Sequence, residues 1–443
     1  MAILATAVWE FDPGASNNNG GGYDAGISGA GADYSQQTTA QLALTDLAMT
    51  TGGATLTSAT GGFTSAMIGN CIQITAGTNF TAGFYFITAY TDTNTVTIDR
   101  DATTGSNGSA GTGNVGGSLA AFTDAILEIF TAGNKLWVRN NGTMTITATI
   151  DISNAGTATA PFVVEGYNST RGDAPTLANR PTIAAGANRV KFGAFWILKH
   201  FIFTTTEGIG LSADFSNSYN YFYNIKSTNS SGSGNRDAFY IAKGHAFLCE
   251  GISTLGRAFF ISAFPSSVSW CYAHDSASGF ECDATSDTVS FTGCIADTCT
   301  TGFVLGRVST VLNSIAYNNT TGMSIDPGGE GNVFITNSIL SDNTTGISAV
   351  ADQDNSTGFH NLYYNNTSDV SNFTKGAGAV SGNPNFTDAA NGDFTCTTGG
   401  AGIDAGPDLT LVGLTGSYKW NIGVDQDDLS AGGGGGTVSY ISV

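Results

Sequence analysis

The sequence predicts an all-β fold built on a parallel β-helix of about ten rungs. First, one segment recurs six times between Cys249 and Val370, with starts 22, 23, 20, 24 and 23 residues apart. Second, each copy contains short runs of β-branched and aromatic residues, which Gly, Asn and Asp interrupt before a helix could form. Third, only 11% of the residues are charged, against roughly 25% in an ordinary domain. A short N-terminal capping helix and a small inserted antiparallel β-domain complete the predicted fold.

The repeated segment matches one turn of a β-helix. Its copies are Cys249–Arg257, Cys271–Gly279, Cys294–Gly302, Ser314–Gly322, Ser338–Gly346 and Asn361–Asp369. A period of about 23 residues accommodates three short strands and their bends, so that each rung stacks about 4.8 Å above the one before. Asn and Gly suit the bends because they tolerate left-handed backbone angles, and stacked copies can form ladders of Asn or Thr.

Residues 1–50 are assigned to the strand and helix that open the β-helix. Val8–Phe11 is the strand. Ala40–Leu47 is predicted as a short helix because its apolar residues fall on one face, with Ser35 as a candidate cap. Residues 51–117 are assigned to the inserted antiparallel β-domain, in which three segments alternate like half-buried strands. These segments are Cys71–Ile74, Phe84–Thr88 and Val96–Asp99.

The β-helix itself is assigned to residues 118–372. It begins with an amphipathic helix of three turns over Ala120–Phe130, which caps the open end of the first rung and so prevents edge-to-edge aggregation. The strand Lys135–Arg139 follows. Residues 373–428 are assigned to a C-terminal closure.

Residues 429–443 consist of a flexible glycine-rich linker and one terminal strand. This strand either folds back on the body or adds to the sheet edge of another subunit. Its residues are the candidate assembly site: Thr437, Val438, Ser439, Tyr440, Ile441, Ser442 and Val443.

Charge and cysteine usage exclude several functional classes. A net charge of −20 would repel nucleic acid and the anionic surface of a membrane. No stretch is apolar enough to span a bilayer, and residues 1–8 do not resemble a signal peptide, so we expect a protein made in a cytoplasm. Cys249, Cys271 and Cys294 share one repeat position and predict a buried column of reduced thiols. No zinc-type spacing and no phosphate-binding glycine motif occurs, and we expect no cofactor and no metal.

Several segments together carry a family resemblance. They are Trp9–Gly22, Gln36–Leu47, Gly133–Thr143, Asn383–Gly406 and Trp420–Val424. The chain resembles right-handed parallel β-helix proteins of the pectin-lyase-like superfamily, particularly the members found in bacteriophages. This scaffold is shared by lyases, hydrolases, tailspikes and purely structural virion proteins, so the resemblance implies the fold and leaves the activity open.

The best enzymatic candidates are Glu281 and Asp283. If Phe280 and Cys282 point inward, both carboxylates point outward, where a pair can act as acid and base on a glycan. Asp326 occupies the position of Asp283 two rungs later, but the intervening rung breaks the column. Solvated surface acids are therefore the alternative interpretation.

Other candidate groups have ordinary structural explanations. Arg257 and Arg307 flank the same face, but a lyase-type site would need a denser basic cluster. His274 and Asp275 precede Ser276, yet neighbours on a rung corner rarely share the geometry of a catalytic triad. Two acidic segments, Asp352–Asn355 and Asp425–Asp428, can bind calcium or simply form turns, and exposed tyrosines (Tyr221, Tyr223, Tyr363 and Tyr364) can stack on sugars or within rungs.

These observations and the resemblance lead to one functional hypothesis. The chain is interpreted as a structural bacteriophage virion protein, a capsid decoration or a fibre, without a signal peptide and located in the virion. Its expected partners are other virion proteins, two further copies of itself in a homotrimer, and host surface polysaccharide, without nucleic acid or membrane. The alternative is a tailspike-type polysaccharide depolymerase or lyase that uses Glu281 and Asp283, and a non-catalytic receptor binder is the third interpretation.

Overall fold

The computed structural model describes residues 5–173, 175–213, 219–232, 236–283, 287–325, 332–350, 356–397 and 399–403. It confirms the predicted class: an all-β chain with a parallel β-helix and a closed antiparallel barrel. The chain forms two compact units. The N-terminal unit comprises Met1–Thr205 and Asn220–Lys226, and the C-terminal unit comprises Thr206–Tyr219 and Ser227–Val443. No helix in the described part of the chain is long and apolar enough to cross a membrane.

The described strands are numbered in chain order. The first eight are β1 Val8–Phe11, β2 Gly22–Tyr23, β3 Leu42–Met49, β4 Thr55–Ser58, β5 Cys71–Thr78, β6 Gly83–Asp92, β7 Thr95–Ile98 and β8 Gly108–Val115. The next twelve are β9 Lys135–Arg139, β10 Thr143–Thr145, β11 Ile150–Asp151, β12 Phe162–Tyr167, β13 Thr182–Gly186, β14 Val190–Phe192, β15 Trp196–Lys199, β16 Ile202–Thr205, β17 Ile209–Ala213, β18 Asn220–Tyr223, β19 Lys226–Asn229 and β20 Asp237–Ile241.

The remaining strands follow the repeats. They are β21 Gly244–Phe247, β22 Glu250–Ser253, β23 Arg257–Ile261, β24 Ser266–Ser269, β25 Tyr272–His274, β26 Ser278–Cys282, β27 Asp287–Thr292, β28 Ile295–Asp297, β29 Thr301–Leu305, β30 Val308–Leu312, β31 Ile315–Tyr317, β32 Thr321–Ile325, β33 Asn332–Thr336, β34 Ile339–Ser341, β35 Thr345–Ala349, β36 Thr357–Phe359, β37 Leu362–Tyr364, β38 Ser368–Ser371, β39 Val380–Ser381, β40 Phe386–Asp388 and β41 Asp393–Cys396. One α-helix, α1 Asp124–Leu127, and the 3₁₀ turns Ser65–Met67, Leu177–Asn179 and Ala389–Asn391 complete the described elements.

The β-helix in the N-terminal unit is organised by strands that pair in parallel. Sheet N1 has the order β2-β1-β9-β12-β15-β18, sheet N2 is β10-β13-β16 and sheet N3 is β11-β14. The register places Trp9, Leu136, Val164, Leu198 and Phe222 in one inward column, and each is almost fully buried. Burying a side chain of this size stabilises the fold by about 1.5–3 kcal/mol, so this column anchors the unit.

The inserted domain is a closed barrel with the strand order β3-β4-β7-β6-β5-β8. The first two strands predicted from alternation lie within β5 and β6, and the third, Val96–Asp99, extends one residue beyond the end of β7. The helix predicted over Ala40–Leu47 is wrong, because Leu42–Met49 is strand β3 of the barrel. A register shift against β8 lies between Leu44 and Leu47. Such an extra residue moves the apolar side chains out of strict alternation and reproduces the spacing of a helical face.

The cap predicted at Ser35 is also wrong. Ser35 is fully buried, and its hydroxyl donates to Asp33 Oδ1 at 2.6 Å and accepts from Arg171 Nη2 at 2.8 Å. The three-turn helix predicted over Ala120–Phe130 is reduced to the single turn of α1. The N–H groups of Ala120 and Ala121 both donate to Asn17 Oδ1, which holds this stretch outside a helix, and Thr123 caps the turn that follows.

The C-terminal unit contains the clear repeats, and its described strands form six complete triplets from β21 to β38. Sheet C1 is β21-β24-β27-β30-β33-β36, sheet C2 is β22-β25-β28-β31-β34-β37-β39 and sheet C3 is β17-β20-β23-β26-β29-β32-β35-β38. Inside the coil, Phe239, Phe259, Phe280 and Phe303 stack with ring centroids 4.6, 5.0 and 4.9 Å apart. The spacing of the rungs therefore matches the stacking distance of the rings.

Buried polar residues form ladders at the corners of the C-terminal unit. Asn343 Nδ2 donates to Ala316 O at 2.9 Å and to Asn366 Oδ1 at 3.0 Å, while its Oδ1 accepts from the Nδ2 of Asn319 at 3.0 Å. A second corner carries Ser314, Ser338 and Asn361 in a similar ladder. These ladders satisfy backbone groups that would otherwise be buried without partners.

The predicted cysteine column is present. Cys249, Cys271 and Cys294 are buried free thiols, and the Cys249 N–H donates to Cys271 Sγ at 3.4 Å. Burial raises the pKa of Cys294 to about 12, so this thiol stays protonated and behaves as a small apolar side chain.

The C-terminal segment folds back onto the outer face of sheet C2. Phe394 in the β40–β41 hairpin is fully buried against a column of aliphatic residues, Ile295, Ile315, Ile339 and Leu362. The proposed assembly strand Thr437–Val443 lies outside the described residues, so its role stays a prediction.

The Asn343 ladder gives a direct test of these corners. We expect Asn343→Ala to lower the free energy of unfolding by about 3 kcal/mol, because several buried partners lose their hydrogen bonds at once. Chemical denaturation followed by circular dichroism measures the change. The neighbouring Thr344→Ala, at an exposed position, is the control and should change stability by less than about 0.5 kcal/mol. Equal effects of the two substitutions would contradict the ladder's role.

Candidate functional site

Glu281 lies on the outer face of sheet C3, as predicted. Its neighbours Phe280 and Cys282 are buried inside the coil, so the Glu281 side chain points outward. The carboxylate accepts a hydrogen bond from Arg257 Nη1 at 3.3 Å. Asp283 follows the end of β26, and its backbone N–H donates to Ile261 O at 2.8 Å. Glu281 is therefore engaged with a cation on the preceding rung.

Arg257 also pairs with a carboxylate on its other side. Its Nε lies 2.5 Å from Asp237 Oδ1 and its Nη2 lies 2.9 Å from Asp237 Oδ2, a bidentate arrangement. The guanidinium carbon is 3.6 Å from the centroid of the Phe260 ring. Asp237 is fully buried, and burial raises its pKa although Arg257 opposes the shift. Asp237, Arg257 and Glu281 thus form one ion-pair network across three neighbouring strands.

This network explains why the predicted carboxylate column is not a free acidic pair. Removing one partner of a buried ion pair leaves an uncompensated charge. The buried carboxylate of Asp237 is therefore stabilised by the guanidinium of Arg257 beside it. Arg307, the other predicted cation, is exposed. Asp326 and the two candidate calcium segments, Asp352–Asn355 and Asp425–Asp428, lie outside the described residues. Among the described residues, no three His, Cys, Asp or Glu side chains are placed to hold a metal ion.

His274 belongs to a second acidic cluster, on sheet C2. Its Nε2 lies 3.0 Å from Glu250 Oε1 and its Nδ1 lies 2.8 Å from Asp275 Oδ2. Burial lowers the pKa of His274, but the hydrogen bonds to the two carboxylates outweigh burial and raise it. The Ser276 hydroxyl donates to the backbone oxygen of His274 at 2.9 Å. Because this serine does not meet the imidazole ring, the cluster lacks the geometry of a nucleophilic triad.

The outer face of sheet N1 combines aromatic and basic side chains. The register aligns Trp137, Glu165, Lys199 and Tyr223 in one outward row, in which Trp137 is buried. Lys135 lies in the adjacent row, with its Nζ 3.7 Å from the Trp137 ring centroid and 3.0 Å from Glu165 Oε2. Such a surface can stack on rings and attract negative charge.

Local charge is the signal by which the sequence could have indicated this face. Residues 135–199 contain seven of the fifteen basic residues and only three acidic ones, a local charge of +4 in a chain of −20. Of the tyrosines predicted as candidates, Tyr221 lies beside this row and is 43% exposed. Tyr363 is buried within a rung and Tyr364 packs against the cluster under the C-terminal hairpin.

A buried carboxylate lies on the edge strand of the same sheet. Glu10 is fully buried and accepts hydrogen bonds from Tyr167 Oη and, at 2.7 Å, from Arg171 Nε. Arg171 Nη1 also donates to Asp33 Oδ2 at 2.7 Å. Burial raises the pKa of Glu10 to about 7, outweighing Arg171. A carboxyl group with a shifted pKa can mark a functional site. Glu10, however, is closed to solvent, and its hydrogen bonds connect β1 to the segment before the barrel.

Comparison with known proteins gives matches in structure only. No protein-family model matches the chain, and no curated protein matches its sequence. Pectate lyase Pel9A is similar with 14% identity and a TM-score of 0.45, over 70% of this chain and 91% of the lyase. Tailspike protein 2 of Escherichia coli O157:H7 bacteriophage CAB120 has 11% identity and a TM-score of 0.38, over 73% of this chain and 46% of the tailspike. The tailspike protein gp49 of Pseudomonas phage LKA1 has 11% identity and a TM-score of 0.24, over 77% and 62%. The chain therefore spans about half to two thirds of the tailspikes, and none of these similarities assigns it an activity.

The Glu10 cluster predicts a specific pH dependence. Between the ordinary pKa of 4.5 and the folded value of about 7, the unfolded chain releases the Glu10 proton while the folded chain retains it. The contribution of Glu10 is complete below pH 4.5 and is lost as pH rises towards 7, by at most about 3 kcal/mol. We expect the melting temperature of wild type to fall relative to that of Glu10→Gln over this pH range.

The variant Glu165→Gln controls for the loss of one negative charge on the same sheet, since Glu165 is half-buried. Its melting temperature should follow that of wild type at every pH. Parallel profiles for wild type and Glu10→Gln would rule out a titrating Glu10.

Proposed function

We propose that the chain is a structural bacteriophage virion protein, a capsid decoration or a fibre, and that it is located in the virion. The observation that carries this proposal is the use of the repeat positions in the C-terminal unit. Asn319, Asn343 and Asn366 bond from rung to rung, and Ser314, Ser338 and Asn361 do the same at another corner. These repeat positions therefore hold the rungs of the coil together.

The acidic residues support the same conclusion. The predicted catalytic residue Glu281 shares Arg257 with the buried Asp237, so it links strands β20, β23 and β26. A network across three stacked strands resists sliding of one rung past the next. Mechanical stiffness of this kind suits a shaft or a decoration that projects from a particle.

Assembly into a homotrimer with other virion proteins is part of the proposal. In sheet C1, His245 and Asp287 are the only residues with ionisable side chains among the six described strands. Its outward row includes Ser290, Thr310 and Phe334, and Phe334 is 37% exposed. Two copies that each carry a charge of −20 repel each other, and the repulsion is smallest when they meet through a face with few ionisable side chains. We therefore propose the outer face of sheet C1 as the contact between subunits.

Contact with host surface polysaccharide is assigned to the outer face of sheet N1. Tyr221 and Tyr223 offer rings, and Lys135 and Lys199 offer positive charge. This chemistry fits an acidic glycan that the rest of an acidic chain would repel.

The alternative, a tailspike-type depolymerase, keeps Glu281 and Asp283 as its acid and base. Incubating the wild type and Glu281→Gln/Asp283→Asn with host capsule, followed by size analysis of the glycan, decides between the two. We expect intact glycan with both proteins, because Glu281 is held by Arg257. Cleavage by wild type that the double variant loses would establish the enzyme instead.

The virion proposal predicts that the chain is present in purified particles. Mass spectrometry of particles banded in a density gradient should find it at a fixed ratio to the major capsid protein, and light scattering of the purified chain should give three times 45.3 kDa. As a control, Phe334→Asp should reduce the trimer to monomers, because it buries a charge in the proposed contact. Absence of the chain from banded particles would overturn the proposal.

A further inference from the structure

The C-terminal hairpin forms an open cavity of about 320 Å³ against the outer face of sheet C2. Residues on its walls include Tyr317, Asp342, Asn383, Asn385, Phe386 and Thr397. We propose that this cavity binds a single residue of a neutral sugar. The site is separate from the outer face of sheet N1 and does not depend on the virion role.

The space exists because of one small residue in the sheet. The register aligns Tyr317, Ser341 and Tyr364 on successive strands β31, β34 and β37. Serine therefore stands where both neighbouring rungs carry tyrosine. Its short side chain leaves room beneath the hairpin, and the room is bounded on one side by Tyr317.

The aromatic wall is held in place from behind. The Tyr317 ring meets Phe386 edge to face, with centroids 5.9 Å apart and an interplanar angle of 85°. Phe394, which is fully buried, lies 5.4 Å from Tyr317 and 5.3 Å from Phe386. Three mutually packed rings give a rigid apolar surface, against which a sugar ring can lie without ordering new side chains.

The polar wall departs from the repeat at one corner. Asn318, Asp342 and Asn365 occupy the same corner of successive rungs, with φ values of 53°, 61° and 51°. Only the middle rung carries a carboxylate, and only that residue lines the cavity. Asp342 accepts from Ser341 Oγ and, at 2.6 Å, from Asn365 Nδ2. Each oxygen of a carboxylate has a second lone pair, so both remain able to accept from a ligand.

The opposite side of the cavity is built from a fixed loop. The Asn385 N–H donates to Asn383 Oδ1 at 2.8 Å, and the Asn385 oxygen accepts from Thr397 N at 2.8 Å and from its Oγ1 at 2.9 Å. Carboxamide groups therefore line a loop whose backbone is already positioned.

The combination of groups selects the ligand class. A carboxylate accepts, carboxamides both donate and accept, and vicinal hydroxyls of a sugar supply matching partners. Among the described residues, the lining includes one carboxylate and no Lys, Arg or His, so an acidic sugar would be repelled. The volume lies at the lower end of the roughly 300–1,000 Å³ typical of small-ligand pockets, which suits one sugar ring.

Saturation-transfer NMR on the full chain tests this proposal. The probes are glucose, galactose, mannose, rhamnose and N-acetylglucosamine, with glucuronate as the acidic comparison and lysine methyl ester as the cationic one. We expect at least one neutral sugar to bind and glucuronate to bind more weakly. Titration with that sugar then compares wild type with Tyr317→Ala and Asp342→Asn, each of which should weaken binding about tenfold.

Two features keep the experiment decisive. Asparagine occupies the corresponding corner in both adjacent rungs, so Asp342→Asn should fold normally even if Tyr317→Ala does not. Tyr364→Ala is the matched control, because Tyr364 lies in the same row and packs against the same cluster but does not line the cavity. It should leave binding unchanged.

The contrary results are equally clear. No saturation transfer to any neutral sugar, stronger binding of glucuronate or lysine methyl ester, or equal loss of binding in Tyr364→Ala and Asp342→Asn would overturn the proposal. Tyr221→Ala should leave binding at this cavity unchanged, since Tyr221 is exposed on sheet N1. The test of this cavity is therefore independent of the glycan contact proposed for sheet N1.

Discussion

The parallel stacking of short strands at one fixed spacing is the constraint on which this structure depends. A rung of about 23 residues cannot bury its apolar face alone and becomes stable only between two others. Every side chain that points inward must therefore suit the residue above and the residue below. The stacked phenylalanines of sheet C3 and the asparagines at the corner meet that demand in apolar and polar form.

The same constraint decides what the outward residues do. Because neighbouring strands are so close, a charge on one rung meets a charge on the next, and Arg257 serves Asp237 and Glu281 together. The three faces of the C-terminal unit have thereby diverged. Sheet C3 carries an ion-pair network, sheet C2 is covered by the hairpin and sheet C1 offers hydroxyl and aromatic groups.

The sequence predicts the fold class well where the repeat is regular, because the period and the turn residues of positions 249–370 report the rung directly. It fails over Leu42–Met49, since a register shift in a strand produces the apolar spacing of a helix. The ion-pair network was also missed. Asp237 precedes the first clear copy, so its alignment with Arg257 appears only when the strands are placed side by side. The cavity under the hairpin forms because residues 383–397 return to the sheet, and no local sequence pattern predicts that return.

The barrel has a property that follows from its two ends. Leu42, at the start of β3, pairs with Val115, at the end of β8, so the chain enters and leaves the barrel at almost the same point. To the strands that follow, the whole barrel is equivalent to one long loop. It is more than a loop, however, because Phe84 and Phe86 of β6 pack edge to face on Trp9. The barrel thereby covers the first ring of the inward column of sheet N1, and its removal would expose that ring to water.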